Sequence, residues 1–320
     1  MTHFQLSSIA SALFSTLSHS QHAGARWALL ADAKLSQTQL EDALNQCFSG
    51  DWGYRELTPC GQAYGWLVSG ASDAKLDAHK LNGLGLALEV VELDANWPKL
   101  SEPGLLLMDM DSTAITIECI DELAALAGVG EAVASVTAAA MRGELDFEQS
   151  LRARVAKLEG ASTDYIDQLC AELPLMPGIE AMVARLKAHG WKLAVVSGGF
   201  MPFVEQLKKQ VGLDDAMANT LDMAEGKLLG SVSGVVVDAE YKATQLSGLC
   251  QRWGIEPTQS IAIGDGANDI QMIQAAQLGV AYHAKPKLVE AANASVARLG
   301  LDSLPLLLEA ANLAFAPQSN

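Results

Sequence analysis

In residues 104–113, GLLLMDMDST, four large apolar side chains are followed at once by Asp109, Met110 and Asp111. A short apolar run with no polar alternation is the pattern of a strand buried on both faces. Successive strand side chains point to opposite sides, so Asp109 and Asp111 start from the same side just past the strand. Two carboxylates held that close need a cation, a shared proton, or both. Alone, a D-x-D pair is more often a solvated acidic loop or a helix cap. Its meaning depends on what else reaches the same place.

Downstream, Lys192–Val196, Ser260–Ile263 and Gly279–Tyr282 repeat the buried-strand pattern, with helical patterns over 178–189, 201–211, 241–252 and 267–276. This alternation predicts an α/β fold with a doubly wound parallel sheet, whose ligand site lies at the carboxyl ends of the strands. Three of the runs end in polar or glycine-rich loops. The first carries the Asp pair. The second is followed by Ser197-Gly198-Gly199, a hydroxyl with backbone amides at a strand-to-helix turn, which suits a phosphate. The third is followed by Gly264-Asp265-Gly266-Ala267-Asn268-Asp269, whose carboxylates suit a hard, oxygen-seeking ion such as Mg²⁺. Lys242, at the start of a helical pattern, places an ammonium where it could meet a phosphoryl oxygen. Singly, each has a bland reading: a plain turn, a Gly-Asp loop, a surface lysine. Jointly, on one edge of one sheet, they point to phosphoryl chemistry. Residues 114–177 show helical patterns only and close with Pro174 and Pro177, which reads as a helical insertion over that edge. Residues 216–237 read as a β-hairpin of unassigned role, and 304–315 as a packing helix.

In order and spacing, DMDST, SGG, the lysine and GDGAND resemble the four motifs of the haloacid dehalogenase superfamily. The likeness extends into the insertion, where MDMDSTAITIECIDELA and MRGELDFEQSLRARV resemble the phosphoserine-hydrolysing branch of that superfamily; it covers roughly residues 104–295. The resemblance implies a haloacid dehalogenase-like core with a helical cap. It also implies Mg²⁺-dependent hydrolysis of phosphoserine to serine, the last step of serine biosynthesis, through an aspartyl phosphate. Asp109 would be the nucleophile, and Asp111 the general acid that later becomes the base. Mg²⁺ would be held by Asp109, by the Asp111 main chain and by Asp265, with Asp269 in support. Ser197, Gly198 and Lys242 would hold the phosphoryl group, with Asn268 adding a polar contact. Glu118 and Arg154 would recognise the ammonium and carboxylate of the amino acid, with Met141 and Phe147 closing the pocket. Outside this constellation Glu118 reads as a helix N-terminal acid and Arg154 as a solvated cation. Crowded carboxylates would favour the protonated form of Asp111, and the metal would oppose it.

Before residue 94 the pattern changes. Apolar or alternating runs at 26–31, 52–57, 62–69 and 85–93, with helical patterns at 36–47 and 72–82, give the order β-α-β-β-α-β. This predicts a small ferredoxin-like domain over 1–95, ACT-like at most, with a seam at 94–103 and the catalytic core over 101–320. Ser36 and Gln39 form a potential capping box, and an earlier helix is expected around 5–18. Trp27, Trp52 and Trp66 fall on predicted strands and read as core or interface.

Across all 320 residues, 38 acidic against 21 basic side chains give a net charge of −17, which opposes binding to nucleic acid or an anionic membrane. An anionic substrate then needs local cations. The five cysteines are scattered without a CxxC, and the six histidines show no HxxxH or HExxH pairing. Neither a disulfide framework nor a zinc hydrolase is indicated. The N-terminus lacks the basic start of a signal peptide, and Leu123–Met141 is too rich in small residues, with Glu131 inside it, to read as a membrane span. A cytoplasmic protein is expected, with a homodimer through the N-terminal domain as a further partner. Two alternatives stay open: transfer of the phosphoryl group to an alcohol such as homoserine, and a signalling receiver whose phospho-Asp is a message. An acid two residues from the nucleophile argues against the second.

Overall fold

The structure, a computed structural model, describes residues 25–70, 74–86 and 88–316; the helix expected around 5–18 lies outside them. The chain divides into two compact units. Of the described residues, one comprises those within 25–104, 177–191 and 294–316, the other 105–176 and 192–293. The second unit is therefore not one continuous stretch.

In the first unit, β1 (Arg26–Ala31), β3 (Trp52–Glu56), β4 (Tyr64–Gly70) and β6 (Leu88–Glu92) form an antiparallel sheet in the order β3-β4-β1-β6. That is the topology expected of β-α-β-β-α-β. Trp27, Leu29 and Ala31, every second residue of β1, share one core with Trp66 and Val68 of β4 and with Leu40 and Leu44 of the helix Gln37–Cys47. Trp52 is half-buried at the margin of that core. The helix starts on the expected box: Ser36 Oγ accepts from Gln39 N and Gln39 Oε1 accepts from Ser36 N. The helix expected over 72–82 is shorter, Ala78–Gly83. Lys75–Leu76 (β5) instead pairs with Phe48–Ser49 (β2), and Asp77 caps the helix by accepting from Lys80 N. The segments 177–191 and 294–316 join this unit through long-range polar contacts. Arg185 bridges the Thr58 carbonyl and Glu309, Asp302 accepts from Gln62 N, and the buried Glu89 accepts from the amides of Ala297, Arg298 and Leu299.

The second unit holds β7 (Leu105–Met108), β8 (Lys192–Phe200), β9 (Asp215–Ala224), β10 (Lys227–Ser233), β11 (Ser260–Gly264) and β12 (Leu278–Tyr282), ordered β10-β9-β8-β7-β11-β12. All neighbours are parallel except the β9–β10 hairpin. Alternate residues Leu105, Leu107, Ala194, Val196, Ala262 and Ala281 pack with Leu246, Leu249 and Met272 of the helices Ala239–Trp253 and Ile270–Ala275. The sheet is doubly wound, as expected, and the three strands that carry the motifs, β8, β7 and β11, are adjacent.

The insertion contains helices Cys119–Leu126, Gly130–Met141, Phe147–Ala156 and Asp164–Ala171. Its two ends meet in a short stem, where Ile115 bridges Leu175, Thr116 N donates to Pro174 O and Met176 N donates to Ala114 O. The hairpin has a structural task here. The amides of Gly160 and Thr163 donate to Leu228 and Gly226, and Leu228 N donates to Ala161, so the turn end of the hairpin braces the cap. The apolar stretch Leu123–Met141 is two helices separated at Gly128. Among the described residues no helix is long and apolar enough to cross a membrane.

Candidate active site

The carboxyl ends of β7, β8 and β11 open into one cleft of about 440 Å³, whose walls include Asp109, Asp111, Ser197 and Asp265. The cap contributes Glu118, Met141, Phe147 and Arg154 to the same cleft, and Gly198 and Asn268 line it from the core side.

Asp109 is buried, and both partners of its carboxylate are on Oδ1: Met110 N at 2.8 Å and Lys242 Nζ at 2.8 Å. Oδ2 has no such partner among the described residues. The same ammonium meets Asp269 Oδ1 at 2.8 Å, and Gly266 N donates to Asp269 Oδ2 at 3.1 Å. Lys242 is thus no surface lysine: it is 1% exposed, beneath Asp109, and clamps two carboxylates together. It is also not among the residues lining the cleft wall. Gly264 must be glycine here, because a Cβ would stand 2.4 Å from Asp269 Oδ2.

Oxygens of Asp109, Asp265 and Asp269 lie within 4.8 Å of one another. An all-carboxylate set of this kind, with one ammonium against three acids, fits a small hard divalent cation. The electrostatics show the excess of negative charge. Burial, then Asp269, hold the Asp109 carboxyl well above the usual carboxylate range despite Lys242. Burial and then Asp269 push Asp265 up to about 6. Burial alone would pull Lys242 down, but Asp109 and Asp269 outweigh it and raise it. Burial, followed by the Glu118 charge, pushes Asp111 up to about 7. A carboxylic acid tuned to neutrality is suited to giving and taking a proton. Cys119 N donates to Asp111 Oδ1 at 3.3 Å and orients it. Ser112, with φ 56° in the left-handed region, turns the chain sharply, and its Oγ donates to Glu118 Oε1 at 2.8 Å.

Arg154 is partly desolvated, which lowers its pKa against the opposing pull of Asp121, Glu118 and Asp111, and its buried Nε has no hydrogen-bond partner. Among the described residues that Nε is a buried donor without an acceptor. Met141 stands 83% exposed at the rim, whereas the Phe147 ring lies over Gly198, 3.0 Å from where a Cβ would sit.

Two expectations need correction. Ser197-Gly198-Gly199 does stand just before a helix, Met201–Val211, as expected, but it is strand rather than a turn. β8 runs on through it to Phe200, and the register with β9 breaks between Val196 and Phe200, so the motif is an irregular strand end. The helix expected over 267–276 is a 3₁₀ turn, Ala267–Asp269, leading into Ile270–Ala275. Sequence reasoning also missed Lys285, which lines the cleft and whose amide donates to the Asp265 carbonyl at 3.1 Å. The usable signal was there, since Lys285 follows the fourth buried strand on the edge where ligands bind.

Comparison with known proteins agrees with this geometry. The family model for haloacid dehalogenase-like hydrolase matches residues 104–277. The phosphoserine phosphatase of Haemophilus influenzae is 53% identical over 223 residues, 70% of this chain and 71% of that one. The crystal structure of the probable phosphoserine phosphatase from Vibrio cholerae, in its unliganded form, superposes with a TM-score of 0.80 at 42% identity, covering 95% of this chain and 94% of that one. A phosphoserine phosphatase solved as a phospho-aspartyl intermediate analogue matches with a TM-score of 0.60 at 40% identity, covering 63% and 97%.

Proposed function

This chain belongs to the haloacid dehalogenase-like hydrolases, and from that premise we propose that it hydrolyses O-phospho-L-serine to L-serine and phosphate, with Asp109 as the nucleophile. The observation that carries the reading is the carboxylate of Asp109, held through Oδ1 by Met110 N and Lys242, with Oδ2 free of donors from the described residues.

In the first step Asp109 Oδ2 forms a bond to phosphorus as the bond from phosphorus to the serine oxygen breaks. The proton of Asp111 passes to that oxygen, so serine leaves neutral. In the second step water attacks phosphorus, its proton returns to Asp111, and the bond to Asp109 breaks, releasing phosphate. Two displacements replace one hard one. Ser197 and the Gly198 strand end receive phosphoryl oxygens. Lys242 fixes the nucleophile and offsets its charge, and Asn268 adds a polar contact. Asp109, the Asp111 main chain and Asp265 would hold Mg²⁺, with Asp269, both of whose oxygens accept from the protein, orienting the cluster. The ion supplies charge neutralisation for the meeting of two anions.

Phosphoserine also carries an ammonium and a carboxylate. Glu118 is the acid for the first and Arg154, with its unpartnered Nε, the cation for the second. Arg154→Ala is expected to lower kcat/KM for phosphoserine by about 10²-fold, the worth of a charge-assisted bidentate contact. It should change hydrolysis of p-nitrophenyl phosphate by less than about 3-fold, since that ester has no carboxylate. Equal losses on the two substrates would remove the substrate assignment.

The raised acids also predict a pH dependence of stability. Asp109 lies well above its ordinary value, and Asp265 and Asp111 titrate near 6 and 7 in the fold against 3.8 in the unfolded chain. Folded protein therefore holds protons that the unfolded chain has released. Their stabilising share is whole below about pH 4 and is lost as pH rises through 6 and 7. Mg²⁺ competes with those protons. The rise in Tm on adding Mg²⁺ should be several degrees larger near pH 7.5 than near pH 5. A Mg²⁺-induced shift that is flat with pH in thermal unfolding would contradict this.

A further inference from the structure

We propose that Asn219 is a positioning residue that sets the direction of the Ser197 hydroxyl; this rests on the reading that Ser197 binds the phosphoryl group. Asn219, in β9, is 1% exposed, and both ends of its side chain are used. Nδ2 donates to the Gly198 carbonyl at 2.8 Å and Oδ1 accepts from Val237 N at 2.9 Å. The two partners force the orientation of the amide, because a carbonyl only accepts and an N–H only donates.

The 198–199 peptide is where the ladder fails. Register between β8 and β9 breaks between Val196 and Phe200, so the Asn219 side chain supplies the donor at this carbonyl. A trans peptide is planar, with C=O and N–H pointing opposite ways, and no peptide in the described chain is cis. Fixing the Gly198 carbonyl toward Asn219 therefore aims Gly199 N–H the other way, where it donates to Ser197 Oγ at 2.8 Å. An oxygen that accepts there has its own O–H left to give. Ser197 lines the cleft with Asp109, so the hydroxyl is offered as a donor to phosphoryl oxygens, which only accept. Glycine on both sides of this peptide makes rotation easy. Without the clamp the plane can turn, releasing Ser197 Oγ from Gly199 and pointing the Gly198 carbonyl at an anion. The other arm of Asn219 ties the same element to Val237, just before the helix Ala239–Trp253 that bears Lys242.

Asn219→Asp separates the arms: it keeps size and the acceptor for Val237 but loses the donor for Gly198. Steady-state kinetics with phosphoserine, with inorganic phosphate as a competitive inhibitor, would be measured for Asn219→Asp, Ser197→Ala and the double variant. Each single change is expected to lower kcat/KM by about 10- to 10²-fold and to weaken phosphate inhibition. The double variant should be no worse than Ser197→Ala by more than about 3-fold, because one hydroxyl transmits both effects. Losses that multiply in the double variant, as a general structural weakening would give, overturn the proposal, as does parental activity in Asn219→Asp. Parental activity and phosphate inhibition in Ser197→Ala would instead overturn the underlying reading of Ser197. If thermal unfolding shows that Asn219→Asp does not fold, Asn219→Ser, too short to reach Gly198, takes its place in the same cycle. Non-additive losses then support the clamp, and multiplying losses or parental activity overturn it.

Discussion

Asp109→Asn is expected to fold, and to release phosphate from phosphoserine at no more than about 10⁻⁴ of the parental rate. The amide keeps an oxygen where Met110 N and Lys242 meet Oδ1, so the local bonds survive. It cannot supply the anionic Oδ2 that attacks phosphorus. Stability should not fall as it does when a buried ion pair is broken. Burial and Asp269 already hold the Asp109 carboxyl well above its ordinary range, so its ionised form is costly, and Lys242 retains Asp269 as a partner. Phosphate release together with thermal unfolding separates lost chemistry from lost fold. Turnover within about tenfold of the parent would rule out Asp109 as nucleophile.

Asp111→Asn is expected to lower phosphoserine turnover by about 10²- to 10⁴-fold, the usual span for removing a general acid. The loss should depend on the leaving group. A serine alkoxide leaves poorly without a proton, whereas p-nitrophenolate leaves well. With p-nitrophenyl phosphate the first displacement should survive and the second, which needs a base for water, should stall. The signature is a burst of one p-nitrophenol per site followed by slow turnover. A burial-raised acid near pH 7 can play both parts, since it is half protonated at neutrality. Uniform slowing on both substrates, without a burst, would assign Asp111 a merely structural part.

Much of the catalytic edge is legible in the sequence because each piece is local. Leu105–Met108 and Ser260–Gly264 are short apolar runs that end where side chains turn polar, so the strands and the acids at their tips are seen together. The Ser36–Gln39 box is local too, and forms as its spacing predicts. What escapes depends on distant partners. Nothing around Lys242 announces that it will be sealed under Asp109, more than a hundred residues earlier, because its burial comes from sheet order. Glu118 and Arg154 gain meaning only through resemblance, since an acid before a helix and an arginine within one are ordinary by themselves. The 294–316 segment reads as more of the core, yet Glu89, Asp302 and Glu309 place it with the first unit. The strand end at Ser197 reads as a turn into a helix because glycine pairs mark turns, whereas the chain stays extended to Phe200, with Asn219 bound to the Gly198 carbonyl, before the helix Met201–Val211 begins.

The central assertion is that the phosphoryl group passes through the Asp109 carboxylate. Acid quenching of Asp111→Asn after the p-nitrophenyl phosphate burst, borohydride reduction and peptide mass analysis test it directly. The acyl phosphate should be found as a reduced side chain at position 109, near one per active site. Phosphate found as an ester on Ser197 or Ser112, or a burst with no covalent phosphate at all, would contradict the account.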